Sequence, residues 1–517
     1  MVYPSPGCRT CKRRRIKCDS SRPLCGRCRK SNFICTWDSN DNGLPFRSEN
    51  GYAEGQQRRP RNSDRHAQSV LSKVALPPPA IAPSVFHPVE LHAVNFWVEN
   101  FSFQSHELPS FGLEYTTHVV AYWRKASPDS SLHVAFLAYV HAVFGRVKHS
   151  ENSWKKAKAL FSTSLKRIKA GVDAANASEI NELILAIMLL GDFEEVMWGL
   201  NSHNPRDAGF RPDPVGSRFW KNVFHQKGAA GLLKERFLKA SPSNPALDAT
   251  IKQSLMRIGV LRGITGPSWL RDADYEECSA TWDINSLMHR VSDLRSKSLY
   301  LHGAQDVAIP QCCQEHFPVE NVCPLVIVAE AEEIDSSLEE WFRNLPNEWK
   351  YANSERYQDG FPIHKYTSHA HAAVWNRYRA LRLIANSIRV RALGALLPDR
   401  AQEQFVQIER AACQLKLDIL TEDMCSGVLS LFNTPNMSRQ VGSESWSIEI
   451  GDCAVNSVGE ILPKLAHLIS WPMLVAVRTE HAPVLKKQWL EARLETVVDV
   501  LGNAMLRDAV ENGDFVF

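Results

Sequence analysis

Between His369 and Leu393, apolar residues return at Val374, Tyr378, Leu381, Ala385, Ile388 and Ala392, in steps of four, three, four, three and four. That period lays one apolar stripe along an α-helix. Asn181 to Val196 is apolar nearly all round in its first half, which predicts a buried central helix. Glu330 to Phe342, ending before Pro346, reads as another helix, as do Ala401 to Leu420 and Trp489 to Val510. Alternating strand patterns are scarce, so residues 85–517 are expected to form a large all-α domain. Residues 38–84 are different. They are rich in Asn, Ser, Gln, Gly and Pro, include Arg58-Arg59-Pro60-Arg61 and Pro77-Pro78-Pro79, and cannot bury enough apolar surface to fold alone, so they read as a flexible linker. Within them Val70, Leu71, Val74 and Leu76 are too few for a coiled coil, and Pro77 follows at once. A homodimer is therefore expected to pair through residues 85–517.

Composition adds little until it is divided along the chain. The 517 residues suggest two to four units, and 44% hydrophobic with 23% charged is ordinary for a soluble globular protein. The longest purely apolar run, Leu183 to Leu190, is far short of the ~20 residues a bilayer span needs. The start of the chain, with Pro4 and Pro6, holds no apolar run that would serve as a signal peptide. The expected compartment is the reducing cytosol or nucleus, where clustered cysteines bind metal more often than they form disulfides. The net charge of +3 hides an asymmetry: residues 1–37 carry ten Lys/Arg and one acid, a surplus of nine, so the remainder is negative by six. That is a polyanion-binding head on a mildly acidic body.

Six of the 13 cysteines lie in this head, as Cys8-x2-Cys11-x6-Cys18-x6-Cys25-x2-Cys28-x6-Cys35. No histidine stands among them, which excludes a two-Cys two-His finger. Structural zinc is tetrahedral and thiolate-rich. One ion would leave two cysteines idle. Two ions need eight metal–sulfur bonds, which six thiolates supply if two of them bridge, and the repeat makes the bridging pair equivalent residues, one from each half. Along an unbroken helix Cys11 and Cys18 would be about 10 Å apart, too far for ligands of one ion. A helix starting near Arg9 must therefore stop around Arg14 or Arg15 and the chain must fold back, which aims the basic run away from the metal.

The segment Cys8-Arg-Thr-Cys11-Lys-Arg-Arg-Arg-Ile-Lys-Cys18-Asp, followed by Pro23-Leu-Cys25-Gly-Arg-Cys28 and Cys35, resembles the fungal binuclear zinc cluster family of transcription regulators. The resemblance implies a small zinc-stabilised domain over residues 1–37, with two short helices around two zinc ions. It implies that Cys8 and Cys25 bridge, that Cys11 and Cys18 complete one zinc site and that Cys28 and Cys35 complete the other. It implies that the end of the first helix enters the major groove of double-stranded DNA, with Arg14 and Arg15 at the positions that read CGG triplets. Many members have lysine where Arg15 stands; arginine is bidentate toward guanine O6 and N7, so guanine reading is physically sound. Pro23 matches a loop proline that is often cis in the family. Lys12, Arg13, Lys17, Arg29 and Lys30 read as phosphate contacts that set register and affinity.

The body has a looser family look. His225-Gln-Lys-Gly-Ala-Ala-Gly-Leu-Leu-Lys-Glu-Arg236, Leu338-Glu-Glu-Trp-Phe-Arg-Asn-Leu-Pro346-Asn-Glu-Trp349, Trp375-Asn-Arg-Tyr-Arg-Ala-Leu-Arg-Leu383 and Trp471-Pro-Met-Leu-Val-Ala476 are similar to the fungal-specific transcription factor domain. That resemblance implies a helical regulatory domain, sometimes effector-responsive, and no catalysis. Gly-x-Gly-x-x-Gly, a phosphate loop, Gly-x-Ser-x-Gly and His-Glu-x-x-His are all missing from the chain, so no enzyme is expected. His364, His369 and His371 read as surface or packed histidines before they read as ligands. Cys278, Cys312, Cys313, Cys323, Cys413, Cys425 and Cys453 read as small core residues. Trp97, Phe101, Phe103, Trp123, Trp198 and Trp220 read as core before they read as an effector pocket. Glu330 to Trp341 reads as a folded helix with Trp341 turned inward. The whole points to a nuclear, zinc-dependent regulator of RNA polymerase II genes. Its expected partners are DNA, the transcription machinery or co-regulators, a second copy and a small-molecule effector, with no membrane. The rival is an interaction scaffold that does not read DNA; the intact run Arg13 to Arg15 argues against it.

Overall fold

The computed structural model describes residues 7–37, 89–103, 114–174, 179–197, 223–238, 244–266, 269, 279–302, 322–396, 400–432, 461–512 and 517. The chain divides into two units, Met1–Ser84 and Val85–Phe517. The linker expected over 38–84, with its Val70 to Leu76 segment, lies outside the described residues.

The first unit contains two short helices, α1 (Arg9–Arg14) and α2 (Gly26–Lys30). The second is built almost entirely of helices: α3 (Val89–Phe101), α4 (Tyr115–Trp123), α5 (Ser131–Val147), α6 (Glu151–Ala174), α7 (Ile180–Val196), α8 (Val223–Leu238), α9 (Pro245–Arg262), α10 (Ser279–Ser298), α11 (Pro324–Asn344), α12 (His369–Ala395), α13 (Arg400–Phe432), α14 (Pro463–Arg478), α15 (Val484–Leu501) and α16 (Ala504–Asn512). Local chemistry sets several of these ends. Ser130 caps α5 by accepting from the His133 N–H at 3.1 Å, and Asn244 caps α9 through the Leu247 N–H at 3.2 Å, just before Pro245.

The all-α expectation needs one correction. A two-stranded antiparallel hairpin, β1 (Ala352–Gln358) and β2 (Phe361–Lys365), stands between α11 and α12. Its loop is Asp359-Gly360, both at positive φ (53° and 88°), the conformation a two-residue hairpin turn demands.

The helix expected from Asn181 to Val196 is α7. Every residue from Leu183 to Leu190 is buried, because the helix packs against α5 on one side and α8 on another. Each such aliphatic side chain contributes about 1.5–3 kcal/mol. The other expected helices form with altered ends. That of Glu330 to Phe342 starts earlier, at Pro324, and that of Ala401 to Leu420 runs on to Phe432. The one expected over Trp489 to Val510 is two helices, α15 and α16, broken at Gly502 in the left-handed region (φ 61°). A Cβ on Gly502 would stand 2.9 Å from the side chains of Arg146 and Val147, so close approach to α5 as well as backbone conformation requires glycine there.

The stripe read on α12 is buried, but burial does not stop at the stripe. Arg377, Arg379, Arg382, Asn386 and Arg389 are buried as well, because α12 is surrounded by α10, α11, α13 and α14. Buried charge needs partners. Arg382 donates through Nε to Asp335 of α11 at 2.6 Å and meets Glu339 at 2.5 Å; Arg389 meets Glu332 at 3.0 Å and Glu409 of α13 at 2.6 Å. Asp335 also accepts from Asn386 at 2.9 Å and Lys416 at 2.7 Å, and is 1% exposed. Burial alone would raise its carboxyl, but Arg382 and Lys416 outweigh that and hold it below the ordinary carboxylate range. Asp335→Ala leaves Arg382 buried beside Glu339 alone, and is expected to destabilise the second unit by about 3–5 kcal/mol at pH 7 in urea unfolding. The difference from wild type should persist above pH ~4, the ordinary carboxyl value, and shrink as pH falls toward the lowered folded value.

Candidate metal centre and nucleic-acid interface

The two halves of the first unit repeat one another hydrogen bond by hydrogen bond. Cys8 is the N-cap of α1, and its Sγ accepts from the Cys11 N–H; Cys25 is the N-cap of α2, and its Sγ accepts from the Cys28 N–H, both at 3.4 Å. The Cys8 N–H donates to Cys18 Sγ and the Cys25 N–H to Cys35 Sγ, again both at 3.4 Å. Each helix ends on a residue or neighbour in the left-handed region, Arg15 (φ 58°) in one half and Asn32 (φ 52°) in the other. The next N–H then reaches back, Ile16 to the Cys11 carbonyl at 3.2 Å and Phe33 to the Cys28 carbonyl at 3.0 Å. This is the fold-back that the Cys11–Cys18 spacing requires.

Few other contacts hold the halves together. The Arg9 N–H donates to the Thr36 carbonyl at 2.8 Å and Thr10 Oγ1 to the Ile34 carbonyl at 2.7 Å. Asp19 accepts from the Gly26 N–H at 2.9 Å at the start of α2, which lowers its carboxyl. A Cβ on Gly26 would stand 2.7 Å from Asp19 Oδ2, and one on Gly7 would stand 2.7 Å from Cys18 Cβ. The Arg22–Pro23 bond is cis, the form the family resemblance associates with this loop.

The sulfur geometry suits a metal and not a disulfide. All six cysteines are free, and Cys8, Cys11, Cys25 and Cys28 are fully buried. Two groups of four gather within 4.8 Å, Cys8-Cys11-Cys18-Cys25 and Cys8-Cys25-Cys28-Cys35, and Cys8 and Cys25 belong to both. Sulfur separations are 3.7 Å for Cys8–Cys25, 3.8 Å for Cys8–Cys28 and 3.6 Å for Cys11–Cys25. A tetrahedron with zinc–sulfur bonds of ~2.3 Å has edges of about 3.8 Å, whereas a disulfide needs about 2.05 Å. Burial and the adjoining thiols push Cys11 up and Cys28 up to about 12. Burial also acts on Cys8 and Cys25, but the N–H groups of Cys11 and Cys28 outweigh it and hold both below the ordinary thiol value. The two sulfurs common to both groups are thus held on balance below the ordinary thiol value, whereas Cys11 and Cys28 are held above it.

The basic residues occupy the outside of this array. Lys12, Arg13, Arg14, Arg15 and Lys17, in and just after the last turn of α1, are exposed, as are Arg29 and Lys30 on α2. Cations at a helix C-terminus complement its partial negative charge. At the positions equivalent to Arg14 and Arg15 in the repeat, the second half carries Ser31 and Asn32, so only the first half presents an arginine pair. The Arg14 guanidinium lies 4.1 Å from the centre of the Phe33 ring. The cysteine spacing gave no sign of this contact, although Phe33 stands among the few exposed aromatics of the head.

In the second unit the described singled-out residues are packed, except that Cys323, read as a core residue, is exposed at the N-cap of α11. His364 and His371 are buried and His369 is half-buried; His371 Nδ1 lies 2.8 Å from Ser368 Oγ in the cap of α12. Cys413 and Cys425 are buried and Cys323 is exposed. Trp97 is core, with Phe101, Phe103 and Trp123 against it, and Trp341 is turned inward from α11. Cys278, Cys312, Cys313, Cys453, Trp198 and Trp220 lie outside the described residues. Among the described residues no helix is long and apolar enough to cross a membrane.

Residues 6–43 match the fungal Zn(2)-Cys(6) binuclear cluster domain. This domain holds two zinc ions, and the grouped thiols fit them in number, chemistry and spacing. Over 73 residues, 14% of this chain and 14% of the relative, the chain is 30% identical to the notoamide biosynthesis cluster transcriptional coactivator notQ' of Aspergillus versicolor. No solved structure matches the chain.

Proposed function

We propose that the protein is a nuclear, zinc-dependent, sequence-specific DNA-binding regulator of RNA polymerase II transcription. The observation that carries this reading is the arginine pair Arg14–Arg15, exposed at the end of a helix that the thiol array anchors at its other end. Cys8 and Cys25 bridge the two ions; Cys11 and Cys18 complete one site, and Cys28 and Cys35 the other. With two divalent ions against six thiolates the head keeps a surplus of about seven positive charges, enough to hold a DNA backbone. Arg14 and Arg15 read guanines of a CGG-type triplet in the major groove, while Lys12, Arg13, Lys17, Arg29 and Lys30 grip phosphates. Residues 85–517 form a regulatory, non-catalytic domain of the fungal-specific transcription factor type, joined to the head by the linker 38–84. They respond to an effector, engage co-regulators and pair two copies. Support for pairing comes from Phe405, Ile408, Ala412 and Leu415 of α13, exposed at steps of three, four and three, the spacing of a two-helix seam. The relative's name speaks of a biosynthesis cluster, which favours a pathway-specific role, in metabolism or secondary metabolism.

That relative is called a coactivator, and this favours a second reading, a zinc-cluster co-regulator without DNA specificity of its own. Selection of bound duplexes from a random pool separates the two. Enrichment of CGG triplets is expected, and their spacing and the stoichiometry of the complex report whether one copy or two bind. A pool that emerges without enrichment supports the co-regulator.

A further inference from the structure

Arg379 of α12 is 1% exposed, and among the described residues no carboxylate forms an ion pair with it, although Asp423 is near enough to act on its charge. Its hydrogen-bond partners are neutral: Tyr366 Oη at 2.8 Å, Asn376 Oδ1 at 3.0 Å and His364 Nδ1 at 3.1 Å. Burial and the arginine itself push His364 down to about 2, so its ring carries no charge at neutral pH. Four other arginines of this unit meet a carboxylate directly: Arg236 with Asp248, Arg257 with Glu114, Arg382 with Asp335 and Arg389 with Glu409. A buried guanidinium with no carboxylate in contact is costly, and an anion brought against it recovers part of that cost.

Space for one exists. Arg379 lines a cavity of about 340 Å³ between α11, α12 and α13, at the small end of the range for ligand pockets. Phe342, Tyr351, Trp375 and Tyr378 form an aromatic wall; Tyr351 and Trp375 meet edge-to-face at 4.7 Å, and the Arg379 guanidinium lies 5.0 Å from the Tyr351 ring centre. Four cations line the cavity, Arg343, Arg379, Arg382 and Lys416. Against them stand Glu339 and Asp423 on the wall and Asp335 behind it, paired to Arg382 and Lys416. One positive charge is left over, which matches a monoanion and disfavours a phosphate dianion. Asp423 has His364 Nε2 as its nearest cation-capable neighbour, at 4.0 Å, beyond hydrogen-bond reach, so its carboxylate is available to a donor on the ligand. Ile419 also lines the cavity and is 52% exposed.

We infer that this cavity binds a small aromatic acid, its carboxylate on Arg379, its ring against Tyr351 and Trp375, and a ring hydroxyl or amine directed to Asp423. The site deepens the regulatory reading of residues 85–517, since it is where an effector would act. Binding is measured on the full chain without DNA, so its failure leaves the DNA-reading proposal untouched, and the reverse holds too.

The test is calorimetric titration of the zinc-loaded full chain with 4-hydroxybenzoate and with its neutral amide, 4-hydroxybenzamide. Saturable one-to-one binding of the acid is expected, with the amide weaker by about tenfold or more. Arg379→Met should abolish acid binding. Ile419→Trp enlarges a lining side chain that is already half exposed, so it narrows the cavity without disturbing the core, and should weaken binding at least about tenfold with helical circular dichroism unchanged. If Arg379→Met does not fold, Ile419→Trp and the acid-to-amide ratio decide. Equal affinity for acid and amide, no saturable binding of the acid, or unaltered binding by Ile419→Trp overturns the inference.

Discussion

Cys8→Ala is expected to strip the chain of both zinc ions, not one, when metal is counted per polypeptide after gel filtration. Cys8 belongs to both groups of four sulfurs, so its loss takes a ligand from each ion at once. Cys18 belongs to one group only, and Cys18→Ala should release the first ion more readily than the second. The energetic consequence is large because structural zinc in so small a domain contributes on the order of 10–16 kcal/mol of folding free energy at neutral pH. Apart from the thiols, the described part of the head buries only Gly7 and Thr10, far too little to hold two short helices in place. Chelation should therefore unfold residues 8–35 while the second unit, with its own extensive apolar core, keeps its helical circular dichroism. Retention of one full zinc equivalent by Cys8→Ala would reassign the bridge.

The double substitution Arg14→Ala, Arg15→Ala is expected to abolish selective DNA binding while zinc content stays at two per chain. Each bidentate arginine–guanine pair is worth about 1–3 kcal/mol of discrimination, so losing both should cost roughly 30- to 20,000-fold in preference for a CGG site over scrambled DNA. Both side chains are exposed and neither touches a sulfur, so the metal centre has no reason to fail with them. The phosphate contacts should behave differently. If about five phosphates are neutralised, log affinity falls with log salt at a slope of roughly −4 to −5, and Lys12→Ala should flatten that slope by about one while weakening all sequences alike. A double variant that still prefers its site would move the reading role elsewhere on the head.

The head was legible because its chemistry is local. Six thiols within 28 residues leave a tetrahedral ion few ways to be satisfied, and the Cys11–Cys18 spacing alone calls for the helix stop that Arg15 makes. The seat of Arg14 on Phe33 was not legible, since nothing in a ligand spacing says which ring crosses the end of α1. In the body, the existence of α7 and α12 followed from apolar periodicity, but their ends and neighbours did not. The break between α15 and α16 rests on Gly502, whose requirement is set partly by Arg146 and Val147 far away in the chain. The hairpin had a visible cue in Asp359-Gly360, outweighed by strands too short and polar to show a clear alternation.

From the order of residues alone came the metal, its donor set, the sign of the head's charge and the helical character of the body, because each depends on spacing along a few turns of chain. Which arginine of α12 is paired with a carboxylate and which is left to neutral partners was decided only by packing. Arg379 and Arg382 stand three residues apart on one helix, yet α11 brings Asp335 and Glu339 into contact with one, while β2 and the residue after it bring the neutral His364 and Tyr366 to the other. A buried charge takes its character from what other elements place beside it, and no period within its own helix carries that information.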